Sequence, residues 1–126
     1  NHFYVNGRDY LRPATPHRFF LDQAIKSIDL LMETRVDKLC YAHCGKAEDG
    51  QRLLRDFRDQ LKFWYDSILE FYKNGDSLEL IMDKLLSKDI RLKEFKNMNS
   101  DEQIRELEFL RNSVLGFLGF IKERDK

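Results

Sequence analysis

The sequence predicts a mostly α-helical protein with one short β-strand, and three observations carry that expectation. After residue 18, apolar residues recur at three- and four-residue intervals over most of the chain. Asn74-Gly75 and two pairs of capping residues cut that pattern into separate helices. Only at Leu39-Cys40-Tyr41-Ala42 does a short apolar run, bounded by Asp37-Lys38 and Gly45, replace it.

The first 17 residues contain Asn6-Gly7, Pro13 and Pro16 and read as a turn followed by an extended, proline-restricted loop. Thr15-Pro16 then serves as a start signal, since proline costs no hydrogen bond at the first helical position. Phe20, Leu21, Ala24, Ile25, Ile28, Leu31 and Met32 share one face, which predicts a helix over 18–33. Leu39 to His43 is expected to be the single strand, turning sharply at Gly45.

The strongest periodic signal is Leu54, Phe57, Leu61, Trp64, Ile68 and Phe71, a long amphipathic helix over 48–73 that Asn74-Gly75 ends. Asp76 with Glu79 reads as a capping box for a helix over 77–87. Ile90, Leu92, Phe95 and Met98 predict a further turn or short helix, and Ser100 with Gln103 a second capping box. From there Ile104, Leu107, Leu110, Val114, Phe117 and Ile121 line a last helix to about Lys122, with Gly116 and Gly119 implying a close helix contact. The stripe around Trp64 has coiled-coil spacing. Its aromatic content and its length favour packing within the molecule over an oligomer seam.

Composition narrows the function classes. The 126 residues carry 22 Lys+Arg and 22 Asp+Glu, interleaved, so no net field draws nucleic acid or an anionic membrane. Hydrophobic residues make up 42%, enough for a core, and the longest apolar run, Val114 to Ile121, is far below the ~20 residues of a membrane span. Two cysteines, Cys40 and Cys44, do not suggest a disulfide scaffold, and no secretory leader pattern opens the sequence. A cytoplasmic protein is expected, with neither nucleic acid nor membrane as partner.

His2, His17 and His43 are the histidines, each more readily a structural residue than a ligand when taken alone. His43 stands apart, because the end of a buried strand before a glycine turn is where a fold displays a ligand at a sheet edge, and imidazole suits zinc or iron. Cys40, His43 and Cys44 do not read as a self-contained zinc site. Cys40 and His43 diverge on a strand, and no second Cys/His pair exists, so Cys40 is expected to be a small core residue. Nucleophile elbows and phosphate-binding glycine motifs are absent.

The order of segments then matters: Arg12-Pro13-Ala14-Thr15-Pro16-His17-Arg18-Phe19-Phe20, a helix with Ser27-Ile28-Asp29-Leu30-Leu31, Val36 to Gly45 with Ala42-His43-Cys44-Gly45, and a long helix with Gln60-Leu61 and Trp64. This resembles the C-terminal part of a metallo-β-lactamase-fold hydrolase over about residues 10–65. The resemblance implies that His43 is the last metal-binding histidine, that Gly45 is the glycine turning the loop away beneath the metal, and that Arg8 to His17 lie near the mouth of the active site. It also implies an αββα fold whose C-terminal end spans 1–46, followed by a helical extension over 47–126.

The family signature His-x-His-x-Asp-His is missing from the chain. An open catalytic metal site ordinarily needs about three protein ligands, and one histidine does not make one. The expectation is therefore a piece of a longer zinc- or iron-dependent hydrolase, inactive alone, acting on a small-molecule ester, thioester or lactam. The part surrounding Leu39 to Ala42 is expected to belong to a sheet completed elsewhere, and the helical tail to cover or narrow the cleft. The alternative is a non-catalytic helical module for docking or homo-oligomerisation, suggested by the amphipathic helices after Gly45.

Overall fold

The computed structural model describes residues 2–15, 19–34, 38–41 and 45–125, with 38–41 and 45–48 described by backbone alone. The order of elements is β1 (His2–Val5), β2 (Arg8–Leu11), α1 (Leu21–Glu33), β3 (Lys38–Tyr41), β4 (Gly45–Glu48), α2 (Gly50–Lys73), α3 (Leu78–Lys88), a 3₁₀ helix (Ile90–Asn97) and α4 (Ser100–Arg124). The mostly helical expectation holds. The expectation of one strand does not, because two antiparallel hairpins are present.

The first hairpin corrects the reading of residues 1–17 as loop. Asn6 and Gly7 both take positive φ, 52° and 78°, the conformation of a two-residue turn that matches the twist of flanking strands. The turn sets a register pairing Phe3 with Tyr10 and Tyr4 with Asp9. Alternation across the pair buries Val5 and Tyr10 while Tyr4, on the other face, stays exposed; His2 shares the Tyr4 face and is buried there at the strand's end. The strand expected over 39–43 is β3, and it pairs with β4, so Gly45 opens a partner strand rather than only a turn.

Helix α1 begins at Leu21, behind an extended Phe20 that makes no side-chain cap. Thr15 is not the start signal expected of it; it is buried and bonded to α4. Asp49, at φ 57°, precedes α2, and its carboxylate takes Arg52 instead of capping the helix. The far end of α2 closes as expected at Asn74-Gly75. Asp76 N–H reaches back to Phe71 O and Gly75 N–H to Tyr72 O, the paired bonds of a Schellman ending, with Gly75 at φ 79°.

Both caps fall one residue from their expected place, and only the second is a capping box. Ser77, not Asp76, caps α3 by accepting from Leu80 N–H, while Asp76 pairs with Lys84. Asn99 and Glu102 form the reciprocal box on α4, and Gln103 instead donates to Phe95 O. One hydrophobic cluster joins Val5 and Tyr10 of the first hairpin, Leu21 and Ile28 of α1, and the inward faces of α2, α3 and α4. It crosses residue 46, so the described residues before and after that point share a core. Trp64 lies wholly buried in it, its ring 5.8 Å from that of Phe117. No described helix is long and apolar enough to cross a membrane.

Candidate functional site

His43, the candidate metal ligand, lies outside the described residues, as do His17 and Cys44. Cys40 sits on β3. His2 takes a structural role: its Nε2 lies 2.8 Å from Asp9 Oδ1 and its ring stands edge-on to Tyr4 at 4.8 Å. Among the described residues no group of three or more His, Cys, Asp or Glu side chains is placed to hold a metal ion. They do not by themselves fit a zinc or iron centre.

The described chemistry concentrates where the segment after β2 meets α4. Tyr10 O–H donates to Glu106 Oε2 at 2.8 Å, and Arg12 Nε lies 2.6 Å from the same oxygen. The Arg12 and Glu106 side chains are only 4% and 5% exposed, so the pair is nearly cut off from water. The Arg12 guanidinium also lies over the Phe109 ring, 4.5 Å from its centre. Burial pushes the Glu106 carboxyl above its ordinary range despite Arg12 and Tyr10, which favour the ionised form. Burial, with the facing Glu106, also drives the Tyr10 hydroxyl upward, so it remains a donor. Phe3, Met98, Glu102, Arg105 and Phe109 surround Arg12 and Glu106 in a cavity of about 210 Å³.

Seven residues further along α4, Ser113 continues the contact. Its hydroxyl donates to Pro13 O at 2.8 Å and accepts from Thr15 N–H at 3.4 Å, while Thr15 Oγ1 donates to Ser113 O at 2.9 Å. Both residues lie on the face of α4 that carries Leu110 and Phe117 into the core. Comparison with family models, curated proteins and solved structures returned no match. The reading of this chain therefore rests on its own residues.

A second polar cluster is exposed. Arg52, at the start of α2, reaches Asp9, Asp49 and Asp56 at 3.2, 2.8 and 3.1 Å, and Arg8 reaches Glu94 at 3.5 Å. Of these, Arg8, Asp9, Asp49 and Arg52 line, with Tyr4, Gly7 and Lys93, an open groove of about 550 Å³. Its arginines are answered by carboxylates, which leaves little charge for a ligand.

A third cluster is interior. The Asp89 side chain is fully buried between α3 and the 3₁₀ helix, and it accepts from Trp64 Nε1 at 2.8 Å, Gln60 Nε2 at 3.0 Å and Arg91 N–H at 3.0 Å. Gln60 also donates to Leu11 O at 2.6 Å, tying α2 to the first hairpin. These bonds satisfy polar groups that would otherwise be costly to bury.

Sequence reasoning did not single out Glu106, Arg12 or Asp89. The signal for Glu106 was available: Glu106, Leu110, Ser113 and Phe117 share helical spacing, which puts a carboxylate on an apolar face. A charged residue on such a face needs partners, and Arg12 and Tyr10 supply them.

Proposed function

We propose that this chain is the C-terminal part of a metallo-β-lactamase-fold metallohydrolase, supplying His43 as one ligand of a zinc or iron centre completed by residues outside the sequence. The bound metal would supply a hydroxide nucleophile at neutral pH. The chain's own contribution is the strand and loop that carry His43, the proline-containing segment Arg12 to Thr15 beside the cleft, and the helical extension. The substrate is a small molecule such as an ester, thioester or lactam, the chain alone is inactive, and the working compartment is the cytoplasm.

One observation supports this above the rest. The strand β3, three residues short of position 44 and directly before the His43 segment, has a hydrogen-bonded neighbour on one edge only among the described residues. In this reading its other edge would join a larger sheet. Helix α1, which leads into it, leaves Phe20, Leu30 and Leu31 about half exposed, apolar surface suited to a further layer.

Metal analysis of the full-length protein tests the reading. The intact protein is expected to carry zinc or iron and to hydrolyse an ester such as 4-nitrophenyl butyrate. His43→Ala is expected to lower metal content and to reduce hydrolysis by at least ~100-fold, the scale on which metal-site changes act. Unchanged metal content in His43→Ala, or no His-x-His-x-Asp-His in the full-length sequence, would overturn it. The second reading, a helical self-association module, draws on the exposed Ile104 and Leu107, three apart on α4, and sedimentation of this chain distinguishes it.

A further inference from the structure

We propose that Glu106 and Ser113 of α4 are positioning residues that hold the segment Arg12–Thr15 in one conformation, so that the helical extension shapes the substrate entrance. The last clause rests on the hydrolase reading above; the holding itself does not.

Arg12 to Thr15 belong to neither a helix nor a strand, yet Arg12, Pro13 and Thr15 are buried. Irregular backbone inside a protein must find partners for its N–H and C=O groups outside the regular ladders. Here α4 supplies them. The Ser113 hydroxyl serves Pro13 O and Thr15 N–H together, and the Ser113 carbonyl takes the Thr15 hydroxyl. Two turns away, about 10 Å along the helix axis, Glu106 takes Tyr10 and Arg12.

The segment is therefore pinned at both ends to one rigid face. Apolar packing alone would let it slide, since burial is non-directional. Four hydrogen bonds of fixed geometry, together with the Arg12–Glu106 ion pair, do not. The contacts lie 94 to 100 residues apart in sequence, so the grip belongs to the extension and not to the segment's local sequence.

The Thr15 amide is itself one of the held groups, which makes it the reporter. In the full-length protein, Ser113→Ala is expected to speed its hydrogen exchange about tenfold with the amides of Trp64 and Ile68 in α2 unchanged, whereas Glu106→Ala, which also lowers the stability of the whole fold, is expected to speed all three. Glu106→Gln keeps an acceptor for the Tyr10 hydroxyl and is expected to give a smaller acceleration. In hydrolysis of 4-nitrophenyl butyrate both alanine variants are expected to raise KM several-fold with kcat retained.

If Thr15, Trp64 and Ile68 accelerate by one common factor in Ser113→Ala, the contact only stabilises the fold and the proposal fails. Faster Thr15 exchange with an unchanged KM in an active enzyme shows a held segment away from the entrance, which overturns the positioning role. A full-length protein with neither metal nor hydrolysis would overturn the hydrolase reading instead, and with it the entrance role. The selective exchange of Thr15 would then still uphold the grip of α4 on the segment.

Discussion

Asp9 and Glu106 each receive one arginine and one further side chain, yet their acidities move in opposite directions. Burial opposes ionisation at both. At Asp9, with its side chain 45% exposed, His2 and Arg52 together outweigh it and hold the carboxyl below its ordinary value. At Glu106, 5% exposed, burial outweighs Arg12 and Tyr10 and pushes the carboxyl up. Access to water, more than the number of partners, separates the surface cluster around Arg52 from the clasp on α4.

The largest test of that contrast is Glu106→Ala. Removing one member of a buried pair leaves Arg12 charged and enclosed, which is expected to cost about 3–5 kcal/mol in urea denaturation at pH 7. Replacing both partners, as Arg12→Met with Glu106→Leu, is expected to recover most of that loss, because two desolvation costs disappear together. A double variant no more stable than Glu106→Ala would show that the ion pair, and not its isolation from water, governs this region.

The pH dependence divides the two carboxylates next. A raised folded-state value means that the protonated form is favoured by folding. The stability Glu106 contributes is full below its unfolded value near 4.5 and is lost as pH rises through the folded value. Asp9 acts in the opposite sense, contributing above its unfolded value near 3.8 and losing that contribution as pH falls through the depressed folded value. Glu106→Gln is expected to flatten the stability profile above about pH 4.5, and Asp9→Asn the profile below about pH 4. Identical profiles for the two variants would erase the distinction.

Much of the helical fold was legible because a 3.6-residue period survives over many turns. The helix expected over 48–73 is observed as Gly50–Lys73, and that over 77–87 as Leu78–Lys88. Caps were harder, since Asp76 and Ser77, like Asn99 and Ser100, are adjacent residues of equal capping chemistry. Tertiary contacts chose between them, Lys84 taking Asp76 and Phe95 O taking Gln103. The first hairpin was missed although Asn6-Gly7 is a strong hairpin signal, because Pro13 and Pro16 drew the whole segment into a loop reading. Of the site, the sequence directed attention to His43, which lies outside the described residues. The clasp was invisible in a local reading, as Arg12 and Glu106 meet only once α4 has folded back along the hairpin.

Arg52→Ala is expected to have the smallest effect. Arg52 is 42% exposed, and its partners Asp9, Asp49 and Asp56 are 45%, 60% and 39% exposed, so water already solvates each charge. Exposed pairs of this kind contribute about 0–1 kcal/mol, and three carboxylates around one guanidinium also repel one another. The substitution is therefore expected to cost less than ~1 kcal/mol, falling further in 1 M salt, where screening acts within about 3 Å. Asp9 should still respond, its pKa shifting upward in carboxyl NMR titration as the Arg52 cation leaves, while Glu106 stays unmoved. A cost approaching that of Glu106→Ala, insensitive to salt, would mean that the surface cluster is as desolvated as the clasp, and exposure would no longer account for the opposite behaviour of the two carboxylates.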